Sequence, residues 1–491
     1  MNHELLQYLQ SSADDWLGHY QVQSAGDQTI IAKYYSNSLI AQKIQEKLTQ
    51  IEARAMGNTN IAVFIAESNP LEFITAFFAG IMAEVNLFLC NPAWQEGEWQ
   101  QVLNLAKLDL IYGDRNTQDL IIKLAARDSP TAVNLPSQSL IMIPTGGTSG
   151  KIKFAMHSWN TLKASVIGFQ DYFTCKAINS ACTLPLYHVS GLMQLMRSLL
   201  TGGKLTIFDY KLIQTRQIPL NPADYFISLV PTQLQKLVDS VPKYLSKFKI
   251  ILLGGAPARR SLLDKARQYQ IRIALTYGMT ETASGIVILK PDDFLAGNNS
   301  NGQVLSQAKI EIIYPKLKPL INSENRDNNN QTAKYKNYQS GLIKIKSQSL
   351  CLGYYPEFFS SEKALLTDDL GYYDSAGYIH ILGRNSHKII TGGENVFPTE
   401  VETAIYATKL VKDICIIGVP DLQWGQAVTA FYVPLDSAPP LDIIKQKIRG
   451  QLAKYKHPKH WITLDSLPYN NQGKINHQKL QAIALQQLRN Y

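Results

Sequence analysis

The chain has 491 residues, more than one ordinary core holds, so two or three domains are expected. Its 45% hydrophobic content fits a globular protein and not a disordered or membrane-embedded one. The net charge of +9 suits polyanionic ligands or is a solvated lysine excess; no recognised motif or aromatic–basic interleaving supports nucleic-acid binding.

In chain order, MNHELLQYLQ lacks the features of a secretory signal. The five cysteines form no CxxC pair, so a reducing, cytoplasmic setting without structural zinc is expected. The apolar stretch 73–90 is interrupted by Glu84 and reads as a buried core helix, not a membrane span. Residues 140–143 read as a buried strand, and TGGTSGKIK (145–153) should leave its carboxyl end. Glycines there let backbone N–H groups approach an anion, while hydroxyls and Lys153 add donors and charge. A surface turn is the bland account of such a loop taken alone. A kinase-type Walker loop fails on spacing, because Ile152 follows Lys151 where that motif needs Ser or Thr.

Residues 249–279 carry β-α-β patterning. IILL (250–253) reads as a strand, GGAP as a turn, and a helix follows with Leu262, Leu263, Ala266 and Tyr269 on one face. The next strand, 271–275, is expected to end in TYGMTE (276–281), and FISLV (226–230) to join the same sheet. Parallel strands of one sheet send both loops to one edge, where ligands bind. So 254–257 and 276–281 should face one pocket. The polar tract 322–339 cannot bury enough apolar area to fold and reads as a flexible insertion. Beyond 384–387, strands around 414–418 and 427–433 and a helix over 441–452 make a small α+β domain. The expected division is therefore 1–385 and 386–491.

Five blocks stand in order: TGGTSGKIK, TYGMTE, TDDLGYYD (367–374) followed by Gly383–Arg384, TGGENVFPTEVE (391–402) and NQGKI (471–475). Together they resemble the adenylate-forming superfamily of acyl-CoA ligases, luciferases and peptide-synthetase adenylation domains. The resemblance implies an α/β fold: a large N-terminal domain of α/β subdomains plus a β-rich subdomain, and a small mobile α+β C-terminal lid. It implies an acid joined to AMP with loss of pyrophosphate, then passed to a thiol, with ATP, Mg²⁺ and coenzyme A taking part.

Residue by residue, the resemblance implies a phosphate cradle of Thr145, Gly146, Gly147, Thr148, Ser149, Gly150 and Lys153. Relatives usually carry TSGTTGxPKG; here Gly146, Ser149, Ile152 and Phe154 depart from it. Thr280 would contact phosphate and Glu281 help hold Mg²⁺. Tyr277 and Gly278 with Gly254, Gly255, Ala256 and Pro257 would frame adenine. Asp369 would take the ribose, beside Asp368 where relatives have glycine, and Arg384 the ribose or phosphate. Lys474 would bridge the reacting carboxylate and the nucleotide. Ser386 falls at the pivot, where Asp or Lys is usual, and Gly392 and Gly393 would line a pantetheine tunnel.

LPLYHVSGLM (184–193), LLGGAPA (252–258) and YGMTETAS (277–284) carry a closer likeness to the o-succinylbenzoate–CoA ligases of menaquinone and phylloquinone synthesis. That likeness places His188 and Ser190 at the acyl pocket. Arg197 lies two helical turns beyond Ser190, on the same face. Either it pairs with the substrate's second carboxylate or it snorkels to the surface. The alternatives are a ligase for another acyl or aryl acid and a non-catalytic nucleotide-binding member of the fold. Retention of Glu281, Asp369, Arg384 and Lys474 together argues against the latter.

Overall fold

The structure is a computed structural model that describes residues 8–9, 15–22, 30–58, 60–125, 138–146, 151–218, 220–314, 340–359, 364–392, 394–435, 440–449, 451–469 and 475–488. The tract 322–339, Gly147, Thr148, Ser149, Gly150, Gly393 and Lys474 lie outside them.

The described residues form an α/β protein of a large N-terminal and a small C-terminal part, as the patterning anticipates. In a seven-stranded sheet, Leu110–Gly113, Ala62–Ala66, Asn86–Leu89 and Ile141–Gly146 run parallel, and Ile152–His157 returns antiparallel. In a nine-stranded sheet, Tyr225–Leu229, Ile250–Leu253 and Ile273–Met279 run parallel. Both are buried through their middles, which is why their strands read as unbroken apolar runs and not as alternation. A four-stranded antiparallel sheet (Ala308–Ile313, Gly341–Ser347, Ala364–Tyr373, Ile379–Arg384) makes the β-rich part. Past the 3₁₀ turn Asn385–His387, five strands build a separate sheet around Val411–Asp421 and Gly425–Pro434, with its own apolar core.

Several local expectations shift. The apolar run 73–90 is not one helix: Pro70–Met82 ends where Glu84 turns left-handed (φ 56°), and Asn86–Leu89 is a strand. The helix after GGAP is Arg260–Gln268, and Tyr269 caps it, 38% exposed, instead of joining its buried face. Ile271 still gives its N–H to Ala266 O, closing that helix, so the next strand starts at Ile273. That strand continues through Met279 in place of ending at Leu275. Its extension pairs antiparallel with Ser284–Leu289, so only Thr280–Thr282 turns. The small domain's helix spans Leu441–Ile448, four residues shorter than expected.

Candidate active site

The phosphate-loop candidate is flanked by two antiparallel strands. Ile141–Gly146 and Ile152–His157 pair in a register that sets Thr145 opposite Lys153 and Gly146 opposite Ile152. The turn Thr280–Thr282 packs against both strands. Lys153 lies 5.4 Å from the Tyr354 ring centroid, and the Tyr354 hydroxyl donates to Glu281 Oε1 at 2.5 Å. One phenol thus links the cation of one motif to the carboxylate of another. Burial and then the Glu281 charge raise the Tyr354 pKa, so the phenol keeps its proton.

His157, on the second of these strands, is fully buried and donates Nε2–H to the Thr280 carbonyl at 2.8 Å. Its Nδ1 lies 3.0 Å from Thr161 Oγ1. Burial lowers its pKa to about 4, so the ring is neutral and must carry its proton on Nε2, facing the carbonyl. The backbone of the Thr280–Glu281 turn is thereby pinned from below.

The two sheet-edge loops meet as the β-α-β topology requires. A side chain on Gly254 would come within 2.2 Å of Thr276 Oγ1, so glycine is what lets the loops close together. Tyr277 follows Thr276, and its hydroxyl donates to Asp369 Oδ2 at 2.7 Å. Asp369 stands opposite Arg384 in the strand register, with Arg384 Nε 3.8 Å from Oδ1. Tyr277, Asp369 and Arg384 therefore converge although 92 residues separate the first two. Asp368 points away and holds Ser386, accepting the Ser386 N–H at 3.2 Å and also the Ser386 hydroxyl.

His188 caps the helix Val189–Leu200, and its ring lies 4.5 Å from that of Tyr187. The Ser190 carbonyl accepts from Gln194 Nε2 at 2.9 Å. Arg197, two turns on, is 4% exposed, which disposes of snorkelling. Its guanidinium lies 4.1 Å from the Phe169 ring centroid and donates Nη2–H to Ser284 Oγ at 3.1 Å, while Nε has no partner. Burial lowers its pKa to about 10, and no carboxylate among the described residues reaches it. Ser284 is set there by an uncommon backbone: Ala283 (φ 50°) and Ser284 (φ 89°) are both left-handed, reversing the chain straight after the Thr280–Thr282 turn.

In the small domain Gly392 is left-handed (φ 58°), and a Cβ there would sit 3.0 Å from Trp424, so the backbone at Gly392 lies close to that indole. Among the described residues no three His, Cys, Asp or Glu side chains gather for a metal. A single buried carboxylate, Glu281, beside the phosphate-loop candidate fits Mg²⁺, which takes one or two carboxylates and completes its shell with substrate phosphates and water.

His157 and Tyr354 were not singled out in the sequence: each is a lone residue without motif spacing, and only the distance between chain segments reveals its part. Ser284 closes the YGMTETAS block, but its contact with Arg197 is not legible there.

A strand pair flanking a glycine-rich loop, a buried carboxylate beside it, and a Tyr–Asp–Arg cluster at a parallel sheet's edge are the kind of site that suits a nucleoside phosphate. The family described as AMP-binding enzyme matches residues 57–355 and its C-terminal domain residues 400–474; the chain belongs to this family. The 2-succinylbenzoate–CoA ligase of Enterococcus faecalis is 34% identical to it over 70% of this chain and 69% of that one. Two solved structures share the fold at 23% identity. ATP-bound MatB from Rhodopseudomonas palustris matches with a TM-score of 0.80, covering 99% of both chains. The o-succinylbenzoate coenzyme A synthetase (MenE) of Bacillus subtilis with AMP matches with 0.76, covering 97% of this chain and 98% of that one.

Proposed function

We propose that the chain is a cytoplasmic ATP-dependent acid–thiol ligase that converts 2-succinylbenzoate and coenzyme A into 2-succinylbenzoyl-CoA, in menaquinone or phylloquinone synthesis. A carboxylate resists a thiol because it is anionic and lacks a good leaving group. In the first half-reaction a carboxylate oxygen attacks the α-phosphorus of ATP, the bond to the bridging oxygen breaks, and pyrophosphate leaves. In the second the thiolate sulfur attacks the acyl carbon, the C–O bond breaks, and AMP leaves.

The residues divide that work. The strand pair around Thr145, Gly146 and Lys153, with Thr280, receives the phosphates. Glu281, together with the substrate phosphates, would hold Mg²⁺, which would supply positive charge against the transferring group. Tyr277 against Gly254, Gly255, Ala256 and Pro257 takes adenine; Asp369 and Arg384 take the ribose. Lys474 supplies a cation at the reacting carboxylate, where charge shifts as the new bond forms. The lid, taken as 386–491, turns about Ser386 and presents Gly392 and Gly393 to the pantetheine arm.

The observation that carries the choice of acid is Arg197, a buried guanidinium with a hydroxyl and an aromatic face for company and, among the described residues, no carboxylate. An uncompensated buried charge is costly, and a substrate with a second, non-reacting carboxylate compensates it. Mass spectrometry of the reaction with ATP, Mg²⁺ and coenzyme A tests this. It should show 2-succinylbenzoyl-CoA, and little thioester from an analogue lacking the second carboxylate. Equal turnover of both acids would point to a ligase of broader acid choice.

A further inference from the structure

The large and small domains meet at a polar cluster that none of the nucleotide motifs includes. Arg259 lies two residues beyond Pro257 and caps the start of Arg260–Gln268. Its Nη2 donates to Asp413 Oδ1 and, at 3.3 Å, to the Tyr469 hydroxyl, while Nη1 reaches the Lys412 carbonyl at 3.4 Å. The guanidinium also lies 4.7 Å from the Tyr406 ring centroid. Asp413, 15% exposed, accepts the Tyr406 hydroxyl on Oδ1 and the Tyr469 hydroxyl on Oδ2, both at 2.7 Å. One large-domain cation thus faces a carboxylate and two phenols of the small domain, and each phenol is itself tied to that carboxylate.

Tyr469 gives this contact its direction. It bridges antiparallel to Ile475, and Asn476 N–H bonds the Pro468 carbonyl, so the residues on either side of 470–474 are held together. Ile475 directly follows Lys474 in the chain. Two residues on, the His477 ring lies 4.6 Å from that of His387, three residues past Arg384. The Arg259 contact therefore ties Tyr469 and, through it, Ile475, the residue after Lys474, to the large domain.

Resting on the ligase reading above, we propose that Arg259, Asp413, Tyr406 and Tyr469 form a docking clamp that sets the small domain in the orientation needed for adenylation and has no part in thioester formation. These are positioning residues: they contact one another and would act through Lys474. An ion pair at a domain joint, partly shielded and braced by hydrogen bonds, is strong enough to bias a two-state domain equilibrium without locking it.

The test separates the half-reactions in the full-length enzyme. Pyrophosphate release without coenzyme A reads the first, and thioester formation from supplied 2-succinylbenzoyl-AMP reads the second. Arg259→Met and Asp413→Asn should each slow the first about tenfold, with the KM for ATP and the second half-reaction within about twofold of the parent. Arg259→Lys should restore most of the loss, and Tyr469→Phe, which keeps the ion pair, should cost less. Equal losses in both half-reactions, or adenylation undiminished in both of the first two variants, overturns the clamp. A parent enzyme that makes no acyl-adenylate from 2-succinylbenzoate sinks the ligase reading instead, before any variant is compared.

Discussion

Asp368 and Ser386 face each other across the joint between the β-rich sheet and the small domain, with the Ser386 N–H 3.2 Å from both Asp368 carboxylate oxygens. Neighbouring Asp369 turns to the other side of its strand and receives the Tyr277 hydroxyl. Two adjacent carboxylates therefore have separate duties, since successive side chains of a strand point to opposite faces. Asp369→Ala should raise the KM for ATP about tenfold or more, as expected for losing hydrogen bonds to a charged acceptor. Asp368→Ala should leave it within about twofold. Steady-state kinetics in ATP checks both, and a larger ATP effect from Asp368→Ala would reverse the assignment.

Arg197 makes a second, sharper expectation, because stability and substrate binding should move apart. Replacing a buried, uncompensated charge with an apolar side chain of similar volume is often neutral or stabilising. Arg197→Met should therefore melt no lower than the parent. Its KM for 2-succinylbenzoate should rise about tenfold or more, with the KM for ATP unchanged. Calorimetry and kinetics on the same preparation decide it: a variant that melts much lower and binds ATP poorly would mean that Arg197 only supports the fold.

Much of this architecture was readable beforehand, for reasons that differ by residue. Gly254 and Thr276 could be brought together because buried parallel strands declare themselves as apolar runs, and their loops must share an edge. The path of Thr276–Met279 could not, since a polar glycine-bearing segment looks like a loop even where a partner strand supplies its hydrogen bonds. The reversal after it rests on left-handed Ala283 and Ser284, where sequence signals would ask for glycine. His157 and Tyr354 act through a backbone carbonyl and a carboxylate far along the chain, contacts that leave no spacing to read. Arg259 looks like any surface arginine until Asp413 is seen beside it.

Lys474 carries the clearest division between the two half-reactions. A cation at the reacting carboxylate stabilises charge while the acid attacks phosphorus, and has no equivalent task once acyl-AMP exists. Lys474→Ala should lower acyl-AMP formation by about a hundredfold or more. Thioester formation from supplied acyl-AMP should persist. Single-turnover assays of each step give the answer, and parallel loss of both would remove the residue from this role.

Two groups, buried His157 and partly buried Glu402, should tilt stability against pH in opposite senses. Burial lowers the His157 pKa from 6.5 to about 4, so the folded protein declines a proton that the unfolded chain accepts. Its contribution is intact above pH 6.5 and is lost as pH falls toward about 4, a change of about 3 kcal/mol at roughly 1.4 kcal/mol per unit. Glu402, on the small-domain helix Pro398–Ala407, accepts the Ile416 N–H at 2.8 Å. Burial raises its pKa from 4.5 to about 7, so the folded state keeps a proton that the unfolded chain releases. Its contribution is full below pH 4.5 and is lost as pH rises through about 7. His477, also lowered to about 4, works in the same sense as His157, so each variant is compared with the parent protein and not with a net slope. His157→Gln should remove part of the rise in stability from about pH 4 to 6.5, and Glu402→Gln part of the fall from about 4.5 to 7. Urea unfolding followed by hydrogen exchange reads the two domains separately. Slopes that shift in the same direction for both variants would show that one of these protonation states is misassigned.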